Sequence, residues 1–290
     1  MTSVEESRSG ESYRAAGVDL DAGEEAVRRI GPLVRGTYRP EVMGDIGGFG
    51  GLFDIGQSGY RDPLLVSGIA AGCIEAGCAL IGGEMAEHPG VMATDQFDLV
   101  GFAVGAVERD GVLDGSAAVV GDVLVGIESP NLRSNGFSLA RRLVFDVAGH
   151  DLDDPAWEGA ATTLADELLD PSVIYAPAVV AALAHHEVHA VAHVTGGGLP
   201  GNLPRVMNDR LDAVVDCSTW EVPRIFRELQ AMGDVSDDEM DRVFNMGLGM
   251  VLVVPAVDVD GVLATLAAHD RSARVVGELV TGSGQVRMES

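Results

Sequence analysis

Lysine is absent from this 290-residue sequence; all 19 of its cationic side chains are arginine. Without an ε-amine the chain cannot grip a phosphate with a Walker-type lysine, form a Schiff base or run Ser-Lys chemistry. Positive charge is scarce altogether: 19 Arg stand against 45 Asp and Glu, for a formal net charge of −26. Such a surface repels nucleic-acid phosphates and anionic membranes, so neither is an expected partner. The same composition is that of proteins in concentrated salt, where ions screen self-repulsion, and a halophilic acidic surface is expected. Cysteine is nearly missing too. Cys73, Cys78 and Cys217 are too few and too unevenly spaced for a disulfide framework or a zinc knuckle, which fits a reducing compartment. The most apolar run, Met246 to Val257, is broken by two glycines and a proline and falls short of a membrane span. The opening residues MTSVEESRSGESYR have neither the basic start nor the apolar core of a secretion signal. A cytoplasmic protein is the expectation.

What is present is apolar material, 47% of the residues, enough to bury a substantial core. After a flexible arm over 1–12, Asp21 and Glu24 can cap a helix with a Val27, Ile30, Val34 stripe, and a loop with five glycines between Gly44 and Gly51 follows. "LVGFAVGAVE", 99–108, reads as a continuous buried strand. From there the pattern restarts: strand "VLVGIES", loop "PNLRSNGF", and a helix from Ser138 that stops at Gly149. An acidic loop leads to a helix starting near Pro171, then strand "EVHAVAHVT", loop "GGGLPGNL" and strand "DAVVDCS". Helices after Pro223, over "SDDEMDRVF" and from Val259 to His269 alternate with strands "GMVLVVP", "ARVVGELV" and "QVRM". Alternation of this kind predicts an α/β (α+β layered) protein of two domains, 13–112 and 113–290, each a mixed sheet covered by helices.

Candidate chemistry gathers in the loops. In "HVTGGGLPGNLPRV" the amides of Gly196, Gly197 and Gly198 follow a strand and precede a helical segment, a setting for an anion-binding concavity. Thr195 and Asn202 would add side-chain hydrogen bonds, Arg205 charge and His193 a substrate contact; the plainer reading is a strand-to-helix turn. Ser134, Asn135 and Gly136 repeat the logic at another helix start, where an ordinary N-cap is the alternative. Glu84 stands behind Gly82 and Gly83, with Glu87, Asp95 and Asp98 nearby. Hard carboxylate oxygens suit Mg²⁺ bridging to nucleotide phosphates, and a solvated acidic loop is the alternative. His185, His189 and His193 recur every four residues, but along a strand His189 and His193 stand roughly 13 Å apart, too far to share one ion.

The stretch "LLVSGIAAGCIEAGCALIGGE", Leu64 to Glu84, reads as strand, very short helix and strand. Only the eight residues Ile69 to Ala76 are left for the helix, whereas a parallel crossover needs about a dozen.

Taken together, "YRAAGVDLDAGEEAVRRI", "RPEVMGDIGGFGGLF", "GCIEAGCALIGGEMAEHPG", "SNGFSLARR", "HAVAHVTGGGLPGNLPRV" and "FNMGLGMVLVVP" resemble, in order, the phosphoribosylformylglycinamidine cyclo-ligase (aminoimidazole ribonucleotide synthetase) family. Small departures are His88 for a usual Met, Phe137 for Tyr and Leu199 for an aromatic. A large one lies between Gly68 and Ile69, which join directly. There the family carries an Asp-Gly-Val-Gly-Thr-Lys motif, a helix with an Asn-Asp pair and a further strand. The resemblance implies a homodimeric, ATP- and Mg²⁺-dependent enzyme closing the imidazole ring of a phosphoribosyl substrate. It implies that Gly82, Gly83 and Glu84 serve the nucleotide side, with Glu84 on Mg²⁺. Thr195 to Gly198, Asn202 and the Ser134-Asn135 loop would line the substrate and phosphate cleft. The absent block is the one that carries the ATP-phosphate lysine and metal-binding aspartates in relatives. A chain of little activity, or a non-catalytic phosphometabolite-binding subunit, is therefore expected.

Overall fold

The aliphatic runs of the C-terminal half pair into one sheet. The computed structural model describes residues 32, 33, 35, 36, 64–83 and 98–289. Its strands are β1 (Val123–Glu128), β2 (Ala190–His193), β3 (Leu211–Asp216), β4 (Leu248–Val254), β5 (Ala273–Thr281) and β6 (Val286–Glu289). They lie in the order β2-β4-β1-β5-β3-β6. Neighbours run antiparallel except β3 and β6, which are parallel.

The central strands are apolar at successive positions because both faces of the sheet are covered. On one face Val125, Ile127, Leu252 and Val254 pack against Ala182 and Leu266 of helices Ala176–His185 and Val259–Ala268. On the other, Leu124, Ala192 and Val251 lie under Leu199 and Leu203, from the short helix Gly198–Asn202 and the turn after it. A third cluster is helical, drawn from Phe137–Arg141 with its π-helical continuation Arg142–Val147, and from Leu164–Leu168, Arg224–Gly233 and Asp237–Val243. At its centre the rings of Phe226 and Phe244 meet with centroids 5.7 Å apart and planes tilted by 57°, a geometry that aromatic quadrupoles favour. The architecture is mixed α/β, as the alternation predicts. The chain divides into two compact units, 1–105 and 106–290.

The stretch from Leu64 departs from expectation. Leu64–Ala76 is one 13-residue helix running unbroken through the Gly68-Ile69 join, closed by Gly77 at φ 69. A helix satisfies its backbone groups internally, whereas a strand needs a neighbour; the residues that follow, 78–83, form no strand, and Gly82 and Gly83 are exposed. Residues 99–107 likewise form no strand, and Val100, Phe102 and Val104 are 85%, 92% and 81% exposed instead of buried. Glu84, the expected Mg²⁺ ligand, lies outside the described residues, as do Glu87, Asp95 and the loop Gly44 to Gly51.

Two local differences have visible causes. The helix expected near Pro171 starts at Ala176, because the Asn131 side chain occupies the carbonyls of Asp170 and Pro171. The acidic loop before it holds an additional helix, Leu164–Leu168, started by a Thr163-Asp166 capping box.

Candidate functional site

Strands β1 and β2 end, and the antiparallel β4 between them begins, at one edge of the sheet. Val194 N–H donates to Gly249 O at 3.0 Å and Ser129 N–H to Gly247 O at 2.8 Å. These bonds tie the loops after β1 and β2 to the turn before β4.

Arg133 fastens them further. Its Nη1 donates to Val194 O and to Gly249 O, both at 3.0 Å, and Nη2 meets His193 Nε2. The guanidinium carbon lies 5.3 Å from the centroid of the Tyr175 ring, within reach of a cation–π attraction. Tyr175 in turn donates its hydroxyl to Glu128 O at 2.9 Å. The Arg133 backbone adopts φ 62, a left-handed conformation that a non-glycine residue holds only when its surroundings enforce it. Buried Asn131 does the enforcing: its Oδ1 accepts from Arg133 N at 3.0 Å, while Nδ2 donates to Asp170 Oδ2 at 2.7 Å. Asn245, also buried, donates to Asn131 O at 2.9 Å and accepts from Gly247 N at 2.8 Å. Satisfied buried amides of this kind specify one loop geometry.

In the glycine loop Gly197 and Gly198 have φ 105 and 58, and a methyl group on Gly198 would collide with Asp241 O. Gly198 N–H donates to Thr195 O at 3.0 Å, closing a turn. It is therefore not one of the open amides the sequence suggests. Among the described residues the N–H groups of Gly196 and Gly197 meet no intramolecular acceptor. Asn202 is 4% exposed; it accepts from Thr195 Oγ1 at 3.1 Å and donates to Gly198 O at 2.7 Å. Thr195 and Asn202 thus clamp the loop against itself, using the groups that were expected to reach outward.

The two loops lie side by side: a methyl group built on Gly196 would stand 3.9 Å from Asn135 Oδ1. Ser134 and Asn135 do not cap the helix that follows. Gly136 occupies the cap position at φ 80 with no side-chain hydrogen bond, and a methyl there would run into the Phe244 ring. So the Ser134 hydroxyl and Asn135 amide have no intramolecular partner among the described residues. Arg205 is exposed and likewise unpaired among them. Burial, reinforced by the Arg133 charge, pulls His193 below the ordinary histidine value. Ser134 to Gly136, His193 and Thr195 to Asn202 therefore share one loop cluster, while Gly82 and Gly83 belong to the other unit.

Sequence reasoning passed over Arg133, Asn131, Asn245 and Tyr175. The available signal was a lone cation inside a Ser-Asn-Gly loop of an acidic chain. The histidine series forms no metal site: His185 ends a helix, His189 pairs with Asp122 and His193 with Arg133. Among the described residues no group of three or more His, Cys, Asp and Glu could hold a metal. A groove of about 580 Å³ walled by His150, Trp157, Glu228 and Met232 shares no residue with the loop cluster. The cluster brings together free amides, a hydroxyl, a carboxamide and the His193 imidazole.

Residues 119–289 match the family described as AIR synthase related protein, C-terminal domain. The chain is 40% identical to the phosphoribosylformylglycinamidine cyclo-ligase of Geotalea daltonii, over 92% of this chain and 94% of that protein. It is 42% identical to that of Anaeromyxobacter dehalogenans, over 93% and 96% respectively. The first alignment has 330 positions against 290 residues here, so at least 330 − 290 = 40 positions are filled only in the relative. A crystal structure of the hydrogenase maturation protein HypE shares the fold at 17% identity and TM-score 0.51, over 78% of this chain and 66% of that one. With both the C-terminal family match and relatives aligned over almost their whole length, this chain belongs to the phosphoribosylformylglycinamidine cyclo-ligase family.

Proposed function

We propose that this protein descends from ATP-dependent cyclo-ligases of purine biosynthesis and keeps their substrate side. On this reading the unit 106–290 binds a phosphoribosyl substrate, formylglycinamidine ribonucleotide, whose ring closure gives aminoimidazole ribonucleotide. The observation that carries it is the apposition of the Ser134-Asn135 loop and the Gly196-Gly197 amides, held by Arg133 and Asn202 yet unpartnered toward solvent. Free amides beside a hydroxyl and a carboxamide are the donors a phosphate monoester needs.

In this family ATP supplies the phosphoryl group that activates the formyl amide oxygen, so that an amidine nitrogen can displace it. Such transfer depends on positioning and charge neutralisation. This chain has no lysine to assist it, and its helix Leu64–Ala76 runs straight through the Gly68-Ile69 join. We therefore expect substrate binding without efficient turnover by this chain alone. The expectation of Mg²⁺ rests on Glu84 and the family resemblance.

Homodimerisation belongs to the same reading. Exposed Val100, Phe102 and Val104 are side chains that a second copy would remove from water, each with a gain of order 1 kcal/mol or more. Sedimentation giving a monomer at micromolar concentration counts against it.

The decisive experiment combines thermal stabilisation by formylglycinamidine ribonucleotide with ADP release in the presence of ATP and Mg²⁺. Stabilisation without ADP is the expected result. ADP release at ordinary enzyme rates overturns the loss of turnover, and no stabilisation overturns the substrate site.

A further inference from the structure

We infer that Arg133 is a positioning residue of the loop cluster: its guanidinium holds His193 as the neutral tautomer protonated on Nδ1, leaving that N–H as the ring's one donor for an anionic oxygen. The ligand part of this inference rests on the substrate reading above.

The chemistry follows from donor counting. A guanidinium has N–H donors and no acceptor, so the imidazole nitrogen it meets must present a lone pair. Arg133 Nη2 meets His193 Nε2; a proton there would set two N–H groups against each other. The neutral ring must then carry its proton on Nδ1.

The guanidinium cannot easily turn away. Rotation would strip the donor that Nη1 gives to Val194 O and Gly249 O and separate the group from the Tyr175 ring. Its Nε is buried without a partner. The left-handed backbone is held by Asn131 Oδ1. Lysine could not substitute, because one ammonium cannot serve three acceptors arranged for a planar fork. Three contacts therefore converge on this side chain, while His193, the last residue of β2, precedes Thr195 and the glycines. Nearby Arg133 charge also disfavours the imidazolium form, in keeping with a neutral donor.

Ring ¹⁵N NMR on the full chain at neutral pH tests this, with the His193 signals assigned by their loss in H193Q. Wild type is expected to show the Nδ1–H tautomer, and R133K a shift toward the Nε2–H form with an unchanged far-ultraviolet circular dichroism spectrum. A wild-type His193 protonated on Nε2 or on both nitrogens, or an R133K variant keeping the wild-type tautomer, overturns the inference. The wild-type measurement alone decides if a variant fails to fold. Ribose 5-phosphate is then titrated into both proteins, and R133K should bind about tenfold more weakly, the scale of one charge-assisted hydrogen bond. Equal binding by folded R133K overturns the positioning role. Absence of binding to wild type with the Nδ1–H tautomer present overturns the substrate reading and leaves the tautomer assignment standing.

Discussion

Asp122 Oδ2 accepts a hydrogen bond from His189 Nδ1 at 2.7 Å, joining the residue before β1 to the residue before β2 at the sheet edge opposite the loop cluster. The same carboxylate oxygen accepts Val119 N–H at 2.8 Å, and His189 Nε2 lies 3.2 Å from Glu187 Oε1. Burial pulls the His189 value down, but the hydrogen bonds and charges of Asp122 and Glu187 more than offset it, so the folded-state value lies above the ordinary 6.5.

Folding therefore takes up a proton at His189. The stabilisation is complete below pH 6.5, the unfolded value, and is lost as pH rises through the higher folded value. The urea midpoint should fall as pH rises above 6.5, and more steeply in wild type than in H189Q. Parallel curves for the two proteins would assign the slope to other groups.

Gly198→Ala should destabilise on the order of 2 kcal/mol or more, because a β-carbon meets Asp241 O and the backbone is left-handed at φ 58. Gly196→Ala is the matched control: its methyl finds only Asn135 Oδ1 at 3.9 Å, so melting should hardly change while ribose 5-phosphate binding weakens. Equal melting of both variants contradicts this account.

Asn202→Leu would leave Gly198 O without its donor and Thr195 Oγ1 without its acceptor. About 1–3 kcal/mol of stability should be lost, read as a lower urea midpoint at unchanged slope. A neutral substitution would show that the loop holds its shape without the clamp.

With a formal charge of −26, dilute buffer should lower the melting temperature relative to molar salt, since screening within about a Debye length relieves self-repulsion. Identical melting at both ionic strengths would remove the halophilic interpretation.

The six strands of the second unit were all legible as apolar or alternating runs, since their periodicity is written locally. The helices at Arg224, Asp237 and Val259 were equally plain, Ser236 capping Glu239 N–H. Leu64–Ala76 was misread because "LLVSG" has the composition of a strand, and only the presence of a neighbouring strand decides whether an apolar segment pairs or coils. The glycine loop was found from its composition, but its amides could not be ranked. Whether Gly198 N–H is free depends on the Thr195 carbonyl reached by the turn, and Asn202 reads as a ligand until its partners are known.

By itself the amino-acid order determined the family, the absence of lysine chemistry, the net charge and the places of the second unit's strands. Each of these follows from residue identity or from contacts within a few positions along the chain. Tertiary structure alone decided which donors remain open, that Arg133 grips His193 at a sequence separation of 60, and that Leu64–Ala76 coils through its join. The Arg133–His193 contact depends on partners distant in sequence and the open donors on how the glycine turn closes, and hydrogen-bond satisfaction is settled only when such groups meet.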